Sequence, residues 1–141
     1  MLLLFINEIF TMKNGLKIVV MVTLLMQAIG VFAEFDDSSL SGFWQHESEP
    51  AVVEIVKQGE VSQGIVRKQE QRPQVIGRNL FSDLVFNPSE GNWTGRIFVM
   101  RLNDEKDVTI TQQSEDHFEM VVKVGFISRS AQWNRVAPQD I

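Results

Sequence analysis

The sequence predicts an all-β domain that folds as a small closed antiparallel barrel of about eight strands behind an N-terminal signal segment. After residue 33 the chain divides into short segments of alternating polarity, and turn residues separate them. Helical spacing is almost absent from these segments. A two-sheet sandwich is the alternative. We favour the barrel, because closure removes exposed strand edges and the predicted strands contain few prolines that would protect such edges.

Residues 1–33 differ from the rest of the chain in composition. About 70% of them are apolar, against about 36% of residues 34–141. From Met12 the segment has the three parts of a secretory signal peptide: a basic start, an apolar run over residues 18–26, and a small-x-small site at residues 31–33. We therefore predict a signal peptide over residues 1–33, with cleavage after Ala33.

A membrane-spanning helix is the alternative for this segment, but its charge-free stretch has about 16 residues and a bilayer requires about 20. Residues 1–11 match no part of a signal peptide, because Asn7 and Glu8 stand where basic residues belong. We expect translation to begin at Met12, which leaves residues 1–11 untranslated. No Cys follows the cleavage site, so the expected product is exported, most simply to the periplasm or else secreted. It is expected to have no lipid anchor and no stable membrane insertion.

The charge of the remaining chain argues against one class of partner. Leaving out Lys13, Lys17 and Glu8 changes the formal charge from -5 to -6. A nucleic-acid-binding face needs a surplus of Lys and Arg, so we expect no nucleic-acid partner. About 108 residues suffice for one domain and are too few for two.

The elements follow in order from an acidic lead-in at residues 34–41 into a single barrel domain at residues 42–138. The first strand begins near Gly42. The second, residues 51–58, has apolar residues on both faces near its middle, which indicates cover on both sides. Gly59 supplies the positive φ of a hairpin turn into residues 61–68.

The middle of the chain holds a loop and an element whose pattern fits two structures. Pro73 and several Gln and Glu residues indicate a loop over residues 69–74. Residues 79–86 fit helical spacing almost as well as strand spacing, and we favour a strand. The later elements are a turn at 87–92, a strand at 93–102, a polar turn at 103–107, a strand at 108–112, a turn at 114–116, a strand at 117–124 and a last strand at 131–136.

The sequence lacks the motifs that define an enzyme active site or a metal site. The chain has no Cys, no Tyr and two His, and it has no nucleophile elbow. His46 stands beside Glu47 and Glu49, yet neighbours in a strand point to opposite faces, and the spacing of a zinc site is absent. His117 stands at a strand start as an ordinary surface residue. We expect no catalysis, no cofactor and no metal ion.

Two tryptophans and an arginine meet where a barrel would close. Trp44 starts the domain and Trp133 nearly ends it, and the first and last strands of a closed barrel are neighbours. Arg135 shares a face with Trp133, so its guanidinium can stack on either indole. We predict a plug of Arg over Trp at the closed end. Contact with a ligand is the alternative role for these residues.

Several motifs together resemble the bacterial exported domain-of-unknown-function 2147 family. They are the opening Gly42-Phe43-Trp44, residues 51–55, the central segment 92–97, and the closing segment 125–136 with its W-x-R-V ending. Members of that family are similar in fold to lipocalins and fatty-acid-binding proteins. The resemblance therefore implies a lipocalin-like up-and-down barrel able to hold a small apolar ligand, and it implies no particular activity. This chain departs from the family pattern in lacking Tyr and in having Ser128 where a glycine is common.

Two functions remain open. The barrel binds a small hydrophobic or amphipathic ligand in the cell envelope, or it is filled by its own side chains and acts through its surface as an envelope interaction or stress-related module. A barrel of this size leaves room for side chains or one small ligand, and bulky inward residues would reduce that room. The candidates for structural or ligand contacts are Trp44, Trp93, Ile97, Phe118, Met120, Trp133 and Arg135.

Overall fold

Antiparallel strands pair in chain order in the computed structural model, which describes residues 34–141, and the last strand pairs with the first. The strands are β1 Gly42–His46, β2 Ala51–Gln58, β3 Val61–Gln69, β4 Asn79–Asn87, β5 Asn92–Val99, β6 Asp104–Ser114, β7 His117–Val124 and β8 Ile127–Val136. Two short 3-10 helices lie at Pro73–Val75 and Pro138–Asp140. The predicted signal peptide and the predicted start at Met12 lie outside the described residues.

Pairing between β1 and β8 closes the sheet. Trp44 is opposite Arg135, and Phe43 is opposite Val136. This closure confirms the predicted all-β antiparallel barrel and excludes the sandwich. The segment that fitted helix and strand almost equally well is β4, so the strand prediction for it is confirmed. In the described part of the chain, no helix is long and apolar enough to cross a membrane.

The boundaries of β5, β6 and β8 differ most from the sequence prediction: β5 ends at Val99 and not at residue 102, and β6 runs from Asp104 to Ser114 and not over residues 108–112. The turn between β5 and β6 falls at residues 100–103, where Asn103 has a positive φ of 49°, and β6 begins at Asp104. Arg96 on β5 reaches across to Asp107 on β6 at 2.7 Å. The charged run that resembled a turn is thus the start of β6, where Glu105 and Asp107 face outward beside Arg96, and Lys106 pairs with Asp104 on the other face. Similarly, β8 begins at Ile127, because residues 127–130 pair with the end of β7.

The barrel has two unlike ends. Strands alternate in direction, so the connections β1–β2, β3–β4, β5–β6 and β7–β8 lie together at one end, which we call the open end. The lead-in at residues 34–41 and the remaining hairpins lie at the other end, which we call the closed end. The largest fully buried side chains are Trp44, Phe81, Trp93, Phe118 and Trp133.

These large side chains form the main core. Trp44 meets Phe118 edge-on with ring centroids 4.7 Å apart, and Phe118 stacks on Trp133 at 5.8 Å. Every buried member of the core cluster lies between Leu40 and Trp133. The sheet closes on itself and contains its own core, so residues 34–141 have what an independently folding domain requires.

A close approach between β4 and β5 requires glycine at position 95. The ladder shifts register after Ser82, and Asp83 has a positive φ of 54°. This irregularity brings the β4 backbone against β5. A Cβ on Gly95 would lie 2.7 Å from the Ser82 carbonyl oxygen and 2.9 Å from that of Asp83. Backbone atoms cannot rotate aside as a side chain can.

We therefore expect Gly95→Ala to lower the free energy of unfolding by about 1–3 kcal/mol, the usual cost of overpacking. Thr94→Val on the outer face of the same strand is the control and should change it by less than about 0.5 kcal/mol. Urea denaturation of both variants measures the difference. Equal midpoints for the two would contradict the close packing at Gly95.

Candidate functional site

A cavity of about 660 Å³ occupies the open half of the barrel. Its walls are mostly apolar side chains that point inward from alternate strand positions, together with residues from the connections at the open end. The apolar lining residues are Ala51, Val53, Val66, Val75, Leu80, Ile97, Phe98, Val99, Met100, Leu102, Met120, Val124, Ile127 and Trp133. Such a space, open at one end and apolar within, suits a small apolar or amphipathic molecule.

Trp133 lines the deep part of this cavity. One side of its ring stacks on Phe118, which lies deeper in the core. The His46 ring meets Trp133 edge-on with centroids 4.9 Å apart. His46 Nδ1 accepts hydrogen bonds from the backbone N–H groups of Ser48 and Glu49, both at 3.1 Å. These bonds hold the ring and the β1–β2 connection together.

The interior is not filled, contrary to the size argument from the sequence. Two of the bulky inward residues, Trp93 and Phe118, are completely buried in the closed half and do not line the cavity, whereas Ile97 and Met120 stand in the cavity wall and leave it open. Inward positions in the open half carry smaller side chains, such as Ala51, Val53 and Val66. A barrel with small residues on one half of its inner wall keeps that half open.

Arg135 organises the closed end. Its guanidinium carbon lies 4.2 Å from the centroid of the Trp44 ring. Its Nε donates to the carbonyl of Glu115 at 2.7 Å, and its Nη1 and Nη2 donate to the carbonyls of Ser41 and Ser39, both at 2.8 Å. One side chain thus ties β8 to the lead-in and to the β6–β7 turn.

The charge of Arg135 is maintained despite partial burial. Burial lowers the pKa of Arg135, and the carboxylates of Asp116 and Glu115 act in the opposite direction. Arginine remains protonated in proteins because its ordinary pKa is so high. The cation over the indole face is therefore a permanent feature of this end.

Gly42 has no side chain, and the guanidinium of Arg135 occupies the space that a side chain would fill. A Cβ at this position would lie 2.5 Å from Nη1 of Arg135, and the φ of Gly42 is +131°. The G-x-W opening motif therefore has a physical reason. The glycine admits Arg135, and two residues later the tryptophan stacks on it.

The lead-in belongs to the fold, which sequence reasoning missed. Leu40 is completely buried in the core, and its carbonyl accepts a hydrogen bond from Trp44 Nε1 at 2.8 Å. Gln112 Nε2 donates to the Ser39 carbonyl at 3.4 Å. A lone leucine in a polar segment just before the first strand was the available signal. The lead-in covers the closed end of the barrel.

Three arginines lie at the mouth of the cavity: Arg72, Arg101 and Arg129. Within residues 34–141, none of them has a carboxylate within salt-bridge distance. Among the described residues that line the cavity, Glu49 is the acidic one. Sequence reasoning did not single out these arginines. The available signal was that Arg129 lies six residues before Arg135. An even separation places both side chains on the same face of a strand, so Arg129 is expected to face inward at the start of β8.

The seven residues predicted from the sequence divide between the two halves. Ile97, Met120 and Trp133 line the cavity. Trp44, Phe118 and Arg135 lie at or near the closed end, and Trp93 packs on Phe86 with ring centroids 4.7 Å apart. In the described part of the chain, no three His, Asp or Glu side chains form a group that could hold a metal ion.

Fold and cavity together define an eight-stranded, lipocalin-like up-and-down barrel that is sealed at one end. The chain is similar to the solved structure of protein HP1028 from the human pathogen Helicobacter pylori, which is described as belonging to the lipocalin family. The TM-score is 0.56, the sequence identity is 16%, and the match covers 72% of this chain and 86% of that one. At this identity the likeness concerns the fold. No protein-family model and no curated protein matches the sequence.

Truncation of Arg135 tests its role at the closed end. We expect Arg135→Ala to lower the free energy of unfolding by about 2–4 kcal/mol, because three backbone carbonyls lose a charged donor and Trp44 loses its cation. Arg135→Lys should fall between the wild type and Ala, since an ammonium lacks the planar fork. Thermal denaturation provides the measurement.

Arg67→Ala is the matched control. Arg67 pairs with Glu54 at 2.7 Å on the exposed wall, where loss of an ion pair costs less than about 1 kcal/mol. A Tm for Arg135→Ala that equals the Tm of this control would show that the closed end does not depend on Arg135.

Proposed function

We propose that this protein is a non-catalytic carrier or receptor that holds one small amphipathic ligand in its barrel. The cavity at the open end is the observation that carries the proposal, because its volume of about 660 Å³ lies within the range of known ligand pockets. An interior filled by side chains, as the surface-acting alternative requires, does not agree with this volume.

The polarity of the cavity favours a ligand with an apolar body and an anionic group. Below the mouth the lining is mostly hydrophobic, with His46 and Gln69 as polar members, and at the mouth stand Arg101 and Arg129. Arginine binds carboxylates and phosphates through two parallel hydrogen bonds. The apolar part of the ligand then fills the space above Trp133, and the anionic group remains at the mouth beside the arginines.

A binding function without catalysis agrees with the position of the titratable groups. His46 lines the cavity, but its Nδ1 already accepts two backbone hydrogen bonds. His117 Nδ1 lies 3.1 Å from Ser114 Oγ, yet both residues are exposed on the β6–β7 hairpin at the opposite end from the cavity. Within residues 34–141, His46 Nδ1 also lies 3.4 Å from Ser48 Oγ, but Ser48 is exposed and does not line the cavity.

The cellular setting of the proposal comes from the sequence. The signal-peptide pattern over residues 1–33 supports export to the periplasm or beyond. The G-x-W start and the W-x-R-V ending support membership in the domain-of-unknown-function 2147 family, and the lipocalin-like fold agrees with it. The ligand would then be a component of the cell envelope or a molecule that crosses it.

Filling the cavity should abolish binding. We expect Met120→Trp to weaken the binding of a fluorescent long-chain carboxylate by at least about ten-fold, because the larger side chain occupies the ligand's space. Val121→Trp places the same ring on the outer wall, one residue along the same strand, and should bind like the wild type. Fluorescence titration gives both dissociation constants. A wild-type protein that binds no amphiphile, including any carried through purification and sought by native mass spectrometry, would refute the ligand proposal.

Charge at the mouth should set the choice of head group. We expect a long-chain carboxylate to bind about ten-fold more tightly than the alcohol of equal length, since a charge-assisted hydrogen bond is worth about 1.5–3 kcal/mol. Arg129→Gln should remove most of this preference. Arg96→Gln, on the outer wall, should retain it. Competition titrations with the two amphiphiles measure the ratio, and an unchanged ratio in Arg129→Gln would show that this arginine does not contact the head group.

A further inference from the structure

Exposed apolar side chains concentrate at the open end of the barrel. Among residues 34–141, six large apolar side chains are strongly exposed, and four of them lie there: Ile76 in β3–β4, Leu102 in β5–β6, and Phe126 and Ile127 at β7–β8. The exposure of Phe126 is 110% of the reference value, so the barrel leaves its ring uncovered. Apolar side chains that cluster on a protein surface mark an interaction site.

Unpaired cations concentrate at the same end. In the described part of the chain, five Lys and Arg side chains have no carboxylate within salt-bridge distance. All five belong to the connections or strand ends of the open end, and they are Arg72, Arg78, Arg101, Lys123 and Arg129. The domain as a whole has a formal charge of -6. The positive charge is thus local and opposes the charge of the rest of the molecule.

Three neighbouring connections, β3–β4, β5–β6 and β7–β8, carry both kinds of side chain. The fourth connection, β1–β2, carries Glu47 and Glu49 and no cation, whereas the single carboxylate within the other three, Glu70, lies 3.8 Å from Lys68. We call the three connections the basic rim. On the basic rim Leu102 follows Arg101 directly, and Ile76 lies two residues before Arg78. Exposed apolar side chains thus alternate with cations around the opening. This pattern is typical of a surface that binds the interface of a lipid bilayer.

We infer that the basic rim docks the barrel mouth-first onto a bilayer that contains anionic phospholipids. Phe126 and Leu102 enter the boundary between head groups and acyl chains, while the arginines bind lipid phosphates. The cavity opens at the same end, so docking turns its mouth toward the membrane. A ligand could then pass between bilayer and barrel without crossing water.

A second copy of the chain is a poorer occupant of the basic rim. A two-fold dimer uses the same patch on both subunits, so two rims would place their unpaired arginines against each other. Like charges across an interface disfavour that arrangement. An anionic bilayer provides the opposite charge to every cation of the rim at once.

Vesicle co-sedimentation of residues 34–141 tests the inference. The two vesicle types are phosphatidylcholine alone and phosphatidylcholine with phosphatidylglycerol in equal parts. We expect binding to the anionic vesicles that weakens as NaCl is added, because salt screens the attraction. Arg78→Gln should lower the partition coefficient about five-fold, the usual contribution of one basic residue near such a surface. Phe126→Ser and Leu102→Ser should each lower it by a similar factor.

The controls match these variants in exposure or charge but lie on the barrel wall. Val85 on β4 is 47% exposed, as is Leu102, so Val85→Ser should leave vesicle binding unchanged. Arg67→Gln should also leave it unchanged. Absence of vesicle binding, equal binding to both vesicle types, or equal losses in the control variants would overturn the inference. So would a dimer in sedimentation velocity that Phe126→Ser dissolves, since a second copy would then occupy the rim.

The cavity-filling variant distinguishes failure of the docking inference from failure of the ligand proposal. The cavity-filling variant Met120→Trp should still bind anionic vesicles, because its basic rim is intact. If Met120→Trp loses vesicle binding while remaining folded, the wild type was taking lipid into its cavity, which would overturn docking and support the ligand proposal. If it keeps vesicle binding and the wild type binds no amphiphile in solution, docking stands without the ligand proposal.

Discussion

The guanidinium of Arg135 is the constraint on which the rest of the barrel depends. A closed sheet must join its first and last strands, and here the join is also the place where the lead-in and the β6–β7 turn converge. Arg135 satisfies three backbone carbonyls from these segments and covers the Trp44 ring. Backbone carbonyls at a strand end need donors, and one charged fork supplies them more strongly than separate neutral groups would.

Sealing one end in this way leaves the other free to serve a function. The closed half holds Trp44, Trp93, Phe118 and the hydrogen-bonded lead-in. In the open half, buried core residues such as Val53, Val66 and Ile97 form the wall of the cavity. Stability and accessibility are thus separated along the barrel axis. Cations and apolar tips can collect at the mouth because nothing in the core relies on them.

Much of the fold could be predicted from the sequence because alternation of polarity is a local property. The inward positions of Val108, Ile110 and Phe118 follow from it, and the structure buries all three. The pairing of Trp44 with Arg135 could be anticipated too, since it needs only strand parity and closure. Boundaries were less predictable where the start of a strand is charged on both faces and resembles a turn, as in Asp104 to Asp107.

The site was less predictable than the fold. The size of a cavity depends on side chains that face one another from several strands. No single segment of the sequence contains all of them. The expected shortage of interior space was wrong because Trp93 and Phe118 lie in the closed half, while Ile97 and Met120 line the cavity without filling it. The arginines of the mouth escaped notice for a similar reason: Arg72, Arg101 and Arg129 are far apart in sequence and meet only through the barrel's connections.

The uneven distribution of the aromatic residues gives this protein a built-in optical probe. Trp44 and Trp93 are enclosed in the sealed half, while Trp133 lies in the cavity wall. With no Tyr in the chain, the intrinsic emission comes almost entirely from these three indoles. A ligand that contacts Trp133 therefore changes the fluorescence of one tryptophan, while the fluorescence of Trp44 and Trp93 stays constant. Occupancy of the barrel can be followed without any label, as a difference spectrum assigned to a single residue.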